Sequence, residues 1–132
     1  MERRRSLVFC ALALVLVGCR EPEAVARERV QKVGIGPLRK DSGRLNRDYF
    51  GAPGKEFITL KQPLWPKTFS ALQPLRLTLY RDGAALALGG DAGSTEWGVF
   101  VVPDGLIYTP PATKTIHYRV IQEGVFIYRN VP

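Results

Sequence analysis

Histidine and cysteine are almost missing from this chain: its 132 residues include one His and two Cys. That scarcity leaves no cluster of ligands for a Cys/His metal site and makes any Ser-His-Asp triad depend on His117 alone. His117 stands in an alternating segment on the side of Arg119 and Ile121, with no Asp or Glu beside it. It therefore reads as solvent-facing, or as paired across a strand with Asn130. None of the four Ser residues lies in a nucleophile-elbow pattern. Asp82, Asp91 and Asp104 occupy turn or loop segments, where Asp is favoured for backbone reasons rather than as a metal ligand. The stretch Gly89, Gly90, Asp91, Ala92, Gly93, Ser94 lacks the Lys and the following helix of a phosphate loop, and it reads as a connection. No pair of carboxylates is singled out for glycoside cleavage. The expectation is a protein that is not an enzyme, with no metal and no cofactor.

A run long enough to span a bilayer is also missing. The longest apolar stretch, LVFCALALVLV from Leu7 to Val17, has eleven residues, whereas a spanning helix needs about 20. Placed behind Arg3, Arg4 and Arg5, this short core reads as a secretory signal. At its end stand Leu16, Val17, Gly18 and Cys19, and this resembles the lipobox of bacterial lipoproteins. The resemblance covers residues 1–19. It implies cleavage before Cys19, a diacylglycerol on its thiol and an acyl chain such as palmitate on the new amino terminus, which together hold a domain on a membrane. In that family Asp directly after the Cys is associated with the inner membrane. Arg20 stands there instead, so the outer membrane facing the periplasm is expected if the host is Gram-negative. Cys10 leaves with the signal, which excludes an intramolecular disulfide in the exported chain.

An apolar fraction of 45% and a net charge of +7 describe one ordinary domain rather than a disordered chain. Thirteen Gly and ten Pro cut it into short pieces and disfavour a helix bundle. The expected division is a signal peptide at 1–18, a lipid-anchored basic tether with a short helix at 19–54, and an antiparallel β domain at 55–132. Between Arg20 and Lys67 there are eleven basic and six acidic residues, and from Thr68 onward five of each. The basic excess thus lies next to the anchor in sequence, where anionic lipid would attract it. Pro22 to Val33 predicts a helix: Pro in the first turn, Glu23 four residues before Arg27, Glu28 four before Lys32, and Gly34 to end it. Its stripe of Ala26, Val30 and Val33 is thin, so weak docking or fraying is expected. Residues 34–54 mix Gly, Pro and charge and read as a linker with one helical turn around 45–50.

From residue 55 the period changes to two. A strand is expected at 57–61, followed by a Pro-broken connection packing Leu64, Trp65 and Phe69. Three hairpins then follow. The first turns at Asp82-Gly83 and sets Leu79 opposite Leu86 and Leu77 opposite Leu88. The second turns at Pro103-Asp104-Gly105 and sets Val101 against Ile107 and Phe100 against Tyr108. The third turns at Glu123-Gly124 and sets Val120 against Ile127 and Ile121 against Phe126. The fold class expected is mainly β: a small antiparallel meander forming a barrel or a two-layer sandwich, with a short N-terminal helix.

Glu96, Trp97, Gly98 and Val99, with Asp104, Gly105, Pro110 and Pro111 after them, also resemble one copy of the WG repeat of bacterial β-hairpin arrays. That resemblance spans about sixteen residues and implies a structural or binding unit. Tyr80, Tyr108, Tyr118, Tyr128, Trp65 and Trp97 near Arg76, Arg119 and Arg129 suit a recognition face for protein or glycan. Trp65, Trp97, Tyr118, Arg119 and Tyr128 are the candidate binding residues, and Cys19 is the lipidation site. Nucleic acid is not expected, because the β domain is neutral. The sequence thus points to a lipid-anchored envelope protein serving as a binding or assembly accessory; the alternative is an inhibitor or protective protein against an envelope-attacking enzyme.

Overall fold

A computed structural model describes residues 21–51, 54, 56–90 and 95–132. The expected signal peptide at 1–18 with Cys10, the expected lipidation site Cys19, Arg20 and residues 91–94 lie outside them. Helix α1 (Pro22–Val33) has the expected bounds, with Glu23 and Arg27 paired at 2.9 Å and Glu28 and Lys32 at 3.8 Å. Gly34 ends it at φ 94°, its N–H donating to the Val30 carbonyl at 2.7 Å. The expected weak docking is corrected. Ala26 and Val30 are fully buried in the main core, and the Arg27 guanidinium donates to the Val120 and Ile121 carbonyls of the sheet edge at 3.3 and 3.5 Å.

The expected linker is likewise corrected: Ile35–Phe50 forms helix α2, with 16 residues the longest among the described residues. Leu38, Ser42, Leu45 and Phe50 line its buried side, a helical spacing that Gly36, Pro37 and Gly43 obscure in the sequence. Pro37 falls in the first turn, where its missing N–H costs no bond. Gly43 lies against the Pro103-Asp104-Gly105 turn, where an added Cβ would meet the Asp104 carboxylate. Ser42 Oγ donates to the Val101 carbonyl at 2.7 Å. Arg39 donates to the carbonyls of Val102, Pro103 and Leu106 at 3.2, 3.0 and 2.8 Å. One guanidinium thus satisfies three loop acceptors, and the helix is locked to the sheet rather than loosely tethered.

The strands are β1 (Phe57–Leu60), β2 (Arg76–Tyr80), β3 (Gly83–Gly89), β4 (Glu96–Val101), β5 (Ile116–Gln122) and β6 (Val125–Asn130), with a short helix α3 (Lys67–Ala71) between β1 and β2. They form one antiparallel sheet in the order β1-β2-β3-β4-β6-β5. The fold is mainly β, as expected. It is neither a barrel nor a sandwich of two sheets: β1 and β5 remain edges, and the helices supply the second layer. Phe69 is buried among them, Trp65 is half-buried, and Leu64 is exposed.

Each hairpin departs from its expected register for a physical reason. In the first, Tyr80 pairs with Gly83, so the turn is Arg81-Asp82 and Leu77, not Leu79, faces Leu86. A slip of two keeps the same faces inward. Asn46 of α2 caps this turn by donating to the Tyr80 and Arg81 carbonyls. The second hairpin does not form. The Pro103-Asp104-Gly105 turn is present, with Gly105 at φ 79°, but Val101 pairs with Val125 of β6 and Ile107 is 97% exposed. Val125 to Tyr128 are buried on both faces, as a central strand requires. Residues 106–109, followed by two prolines that lack N–H donors, cannot compete for that place. In the third hairpin a bulge between Val120 and Gln122 shifts the register by one. Val120 therefore faces Phe126, and Arg119 faces Ile127.

Candidate functional site: a tyrosine-walled cleft on the open sheet face

The helices cover one face of the sheet. On the other, alternation places Arg76, Ala87, Gly98, Tyr128 and Tyr118 in one row across five strands, and Thr78, Ala85, Phe100, Phe126 and Val120 in the next. Both rows are small on β3, at Ala87 and Ala85, and the first is also small on β4, at Gly98. Gly98 must lack a side chain, since a Cβ there would meet the Leu86 carbonyl and lie 2.9 Å from the Tyr128 ring. The edge of the Phe100 ring approaches the place of a Gly83 Cβ at 2.6 Å. Aromatic rings thus lean over backbone that has no side chains of its own, which is how a sheet surface acquires a recess with rigid walls.

The chain from Leu106 to Thr115 crosses this face as a strap and roofs the recess. Pro110, within the strap, is buried. The Tyr108 hydroxyl bonds to the Asp82 carboxylate in the β2–β3 turn. The result is a cleft of about 300 Å³ lined by Tyr80, Tyr108, Tyr118 and Tyr128 together with Thr78, Ala85 and Phe100. Phe100 meets Tyr118 edge to face at 5.8 Å between centroids. Arg76 and Glu96 form an ion pair at one end, and Glu96 also accepts from the Tyr128 hydroxyl at 3.3 Å. On the far side of the strap a second recess of about 470 Å³ is lined by apolar groups that include Leu106, Val120 and Phe126.

The cleft's phenols stay neutral. Burial pushes the Tyr118 hydroxyl up to about 12 and the Tyr128 hydroxyl well above the ordinary tyrosine range, Glu96 adding to the latter. Tyr80 is raised by burial and then by Glu96; Tyr108 is raised by burial and by its bond to Asp82. Four protonated hydroxyls beside flat rings and one neutralised ion pair suit a polar, uncharged ligand that offers both hydrogen-bonding groups and apolar faces.

The candidate residues divide between the two faces. Tyr118 and Tyr128 are direct cross-strand partners in the cleft. Trp65 and Trp97 lie on the helix side, half-buried against the main core, and Trp65 Nε1 donates to the Leu60 carbonyl at 2.7 Å. Arg119 projects to the helix side and meets Glu23 at 2.9 Å. His117 is exposed and pairs with Arg129, while Asn130 sits opposite Ile116, which corrects its expected neighbour. Glu96 and the floor of small residues were not among the candidates. Their signal was the run of Gly and Ala at alternate positions 83, 85, 87 and 89.

Among the described residues no group of three or more His, Cys, Asp and Glu could hold a metal ion, and no helix is long and apolar enough to cross a membrane. The fold and the cleft describe a helix-backed antiparallel sheet with one recessed, strapped face. No protein family, curated protein or solved structure matches the chain.

Proposed function

We propose that this is a lipid-anchored bacterial envelope protein that works without catalysis, as a binding or assembly accessory, and that the tyrosine-walled cleft is its recognition surface. The observation that carries this reading is the row Ala87-Gly98-Tyr128-Tyr118, in which the absence of side chains makes a recess and four neutral tyrosines in and around it make the walls. Rigid rings with polar tips give contact area at small entropic cost. The lipobox-like end of the signal segment supports an anchor at Cys19. The chemistry of the cleft fits an uncharged glycan or peptide segment of a neighbouring envelope component.

A photo-crosslinking residue at position 118, in the full-length protein expressed in its envelope, tests the reading. It is expected to capture a discrete neighbour that the same probe at the exposed position 107 does not, and Ala85→Phe, which fills the floor, is expected to abolish the adduct. Equal labelling from both positions would overturn the assignment. Palmitate that fails to mark Cys19 would remove the anchor while leaving the cleft.

A further inference from the structure

The aromatic surface of the cleft does not end at its walls. Tyr80 pairs with Phe57 of the edge strand β1, and the two rings meet at 6.2 Å between centroids with their planes at 41°. That pairing puts Phe57 on the open face of the sheet, where it is 58% exposed. Rings therefore continue from the recess to the free edge at β1.

The polar groups left for a ligand are of three kinds. The Tyr80 and Tyr118 hydroxyls have no hydrogen-bond partner among the described residues, and each can donate and accept. Asp82, bonded by the Tyr108 hydroxyl, keeps carboxylate lone pairs that only accept. Arg76, half exposed beside Glu96, keeps N–H groups that only donate. These groups converge. After burial, Asp82, Tyr80 and Tyr108 act on the Tyr118 hydroxyl, and Glu96 and then Arg76 act on both Tyr80 and Tyr128. Two carboxylates against one guanidinium disfavour an anionic occupant. A peptide finds no backbone to join, because β2, β3, β4 and β6 each have a neighbour on both sides and spend their N–H and C=O groups in the sheet. The cleft must read its ligand with side chains alone.

A chain of pyranose sugars answers that inventory. Its neighbouring hydroxyls donate and accept together, so one ligand meets Asp82, Arg76 and the phenols at once, while its C–H faces lie flat on the rings. At about 300 Å³ the cleft is at the small end of ligand sites, so it holds a short part of such a chain and leaves the next ring to Phe57. We propose that the cleft binds an uncharged oligosaccharide, its hydroxyls read by Asp82, Arg76, Tyr80 and Tyr118, and that Phe57 is an outer stacking site for the following sugar. This rests on the cleft as the recognition surface and names its ligand class; it does not depend on the anchor.

The full-length protein, purified in detergent, is tested on an array of neutral glucose, galactose and N-acetylglucosamine oligomers with their monosaccharides, and on an array of synthetic peptides, with choline as a soluble competitor. Retention on neutral oligosaccharides is expected, and Ala85→Phe is expected to abolish it. Tyr118→Phe, which removes one unpartnered hydroxyl and keeps the ring, is expected to weaken it about fivefold. Phe57→Ala is expected to lower the preference for oligomer over monosaccharide about fivefold. No retention on any neutral oligosaccharide, or a preference unchanged by Phe57→Ala, would overturn the proposal. Retention confined to peptides, or released by choline, and lost in Ala85→Phe would overturn the saccharide and spare the cleft. Retention that neither Ala85→Phe nor Tyr118→Phe changes would overturn both.

Discussion

Arg39 ties α2 to the loop that follows β4. It donates to three carbonyls in the segment from Val102 to Leu106, and hydrogen bonds from a charged donor contribute about 1.5–3 kcal/mol each when not exposed. Two of the three are only partly buried and one is exposed, so Arg39→Met is expected to cost about 2–3 kcal/mol in urea unfolding. Gly98→Ala is expected to cost about as much through overpacking, and to shift the near-ultraviolet dichroism of tyrosine as Tyr128 is displaced. The tyrosines themselves predict an alkaline limit. Tyr118 and Tyr128 are raised in the folded state, so folding holds their protons more tightly than the unfolded chain does. The Tyr118 contribution is complete below the ordinary tyrosine value of about 10 and is lost as pH rises toward about 12, and that of Tyr128 falls over the same range and beyond it. The tyrosinate absorbance of Tyr118 and Tyr128, read as the difference from a protein with both replaced by Phe, should accordingly appear together with unfolding, not before it. Little of this was legible in the sequence. The tyrosines were visible as candidates, but an Arg that satisfies loop carbonyls looks the same in a one-dimensional string as an Arg that faces water.

At the scale of elements, α1 and the strap show opposite outcomes. α1 was readable to its last residue because its cues are local: Pro in the first turn, two i to i+4 pairs, and Gly at the end. The strap was not. Leu106 to Thr109 has the alternation of a strand and follows a good turn, yet β6 displaces it by burying both of its faces. This distinction is testable. Ile107→Asp is expected to change stability by less than about 0.5 kcal/mol, since the side chain is 97% exposed, whereas a strand paired as the sequence predicts would lose several times more. Ile127→Asp, at a position 7% exposed, is expected to prevent folding in the same assay.

At the scale of the whole molecule, helices and sheet share one core. Ala26, Val30, Leu38 and Leu45 of the helices pack with Leu77, Leu86, Val99 and Ile127 of the strands. A single cooperative transition follows, in which far-ultraviolet dichroism and the fluorescence of Trp65 and Trp97 coincide during unfolding. Separate transitions would mean that the helices fold as an appendage, as the charge asymmetry of the sequence had implied. The shared core also orients the molecule. The start of α1 and the Arg129 end of β6 lie together, and the cleft occupies the opposite face of the same sheet.

Local chemistry determined what could be read from the residues in order: a short apolar run behind three arginines, the bounds of α1, the antiparallel strands, and two of the three turns. Those features depend on neighbours within a few positions, and the chain carries them in any context. Partner choice and facing were decided only by the tertiary structure. Strand β4 pairs with β6 because two-sided burial outweighs proximity in sequence. Residues 35–50 are helical because the sheet offers Leu38, Leu45 and Phe50 a surface to cover, and the cleft exists because distant strands bring Ala85, Gly98 and Tyr118 side by side.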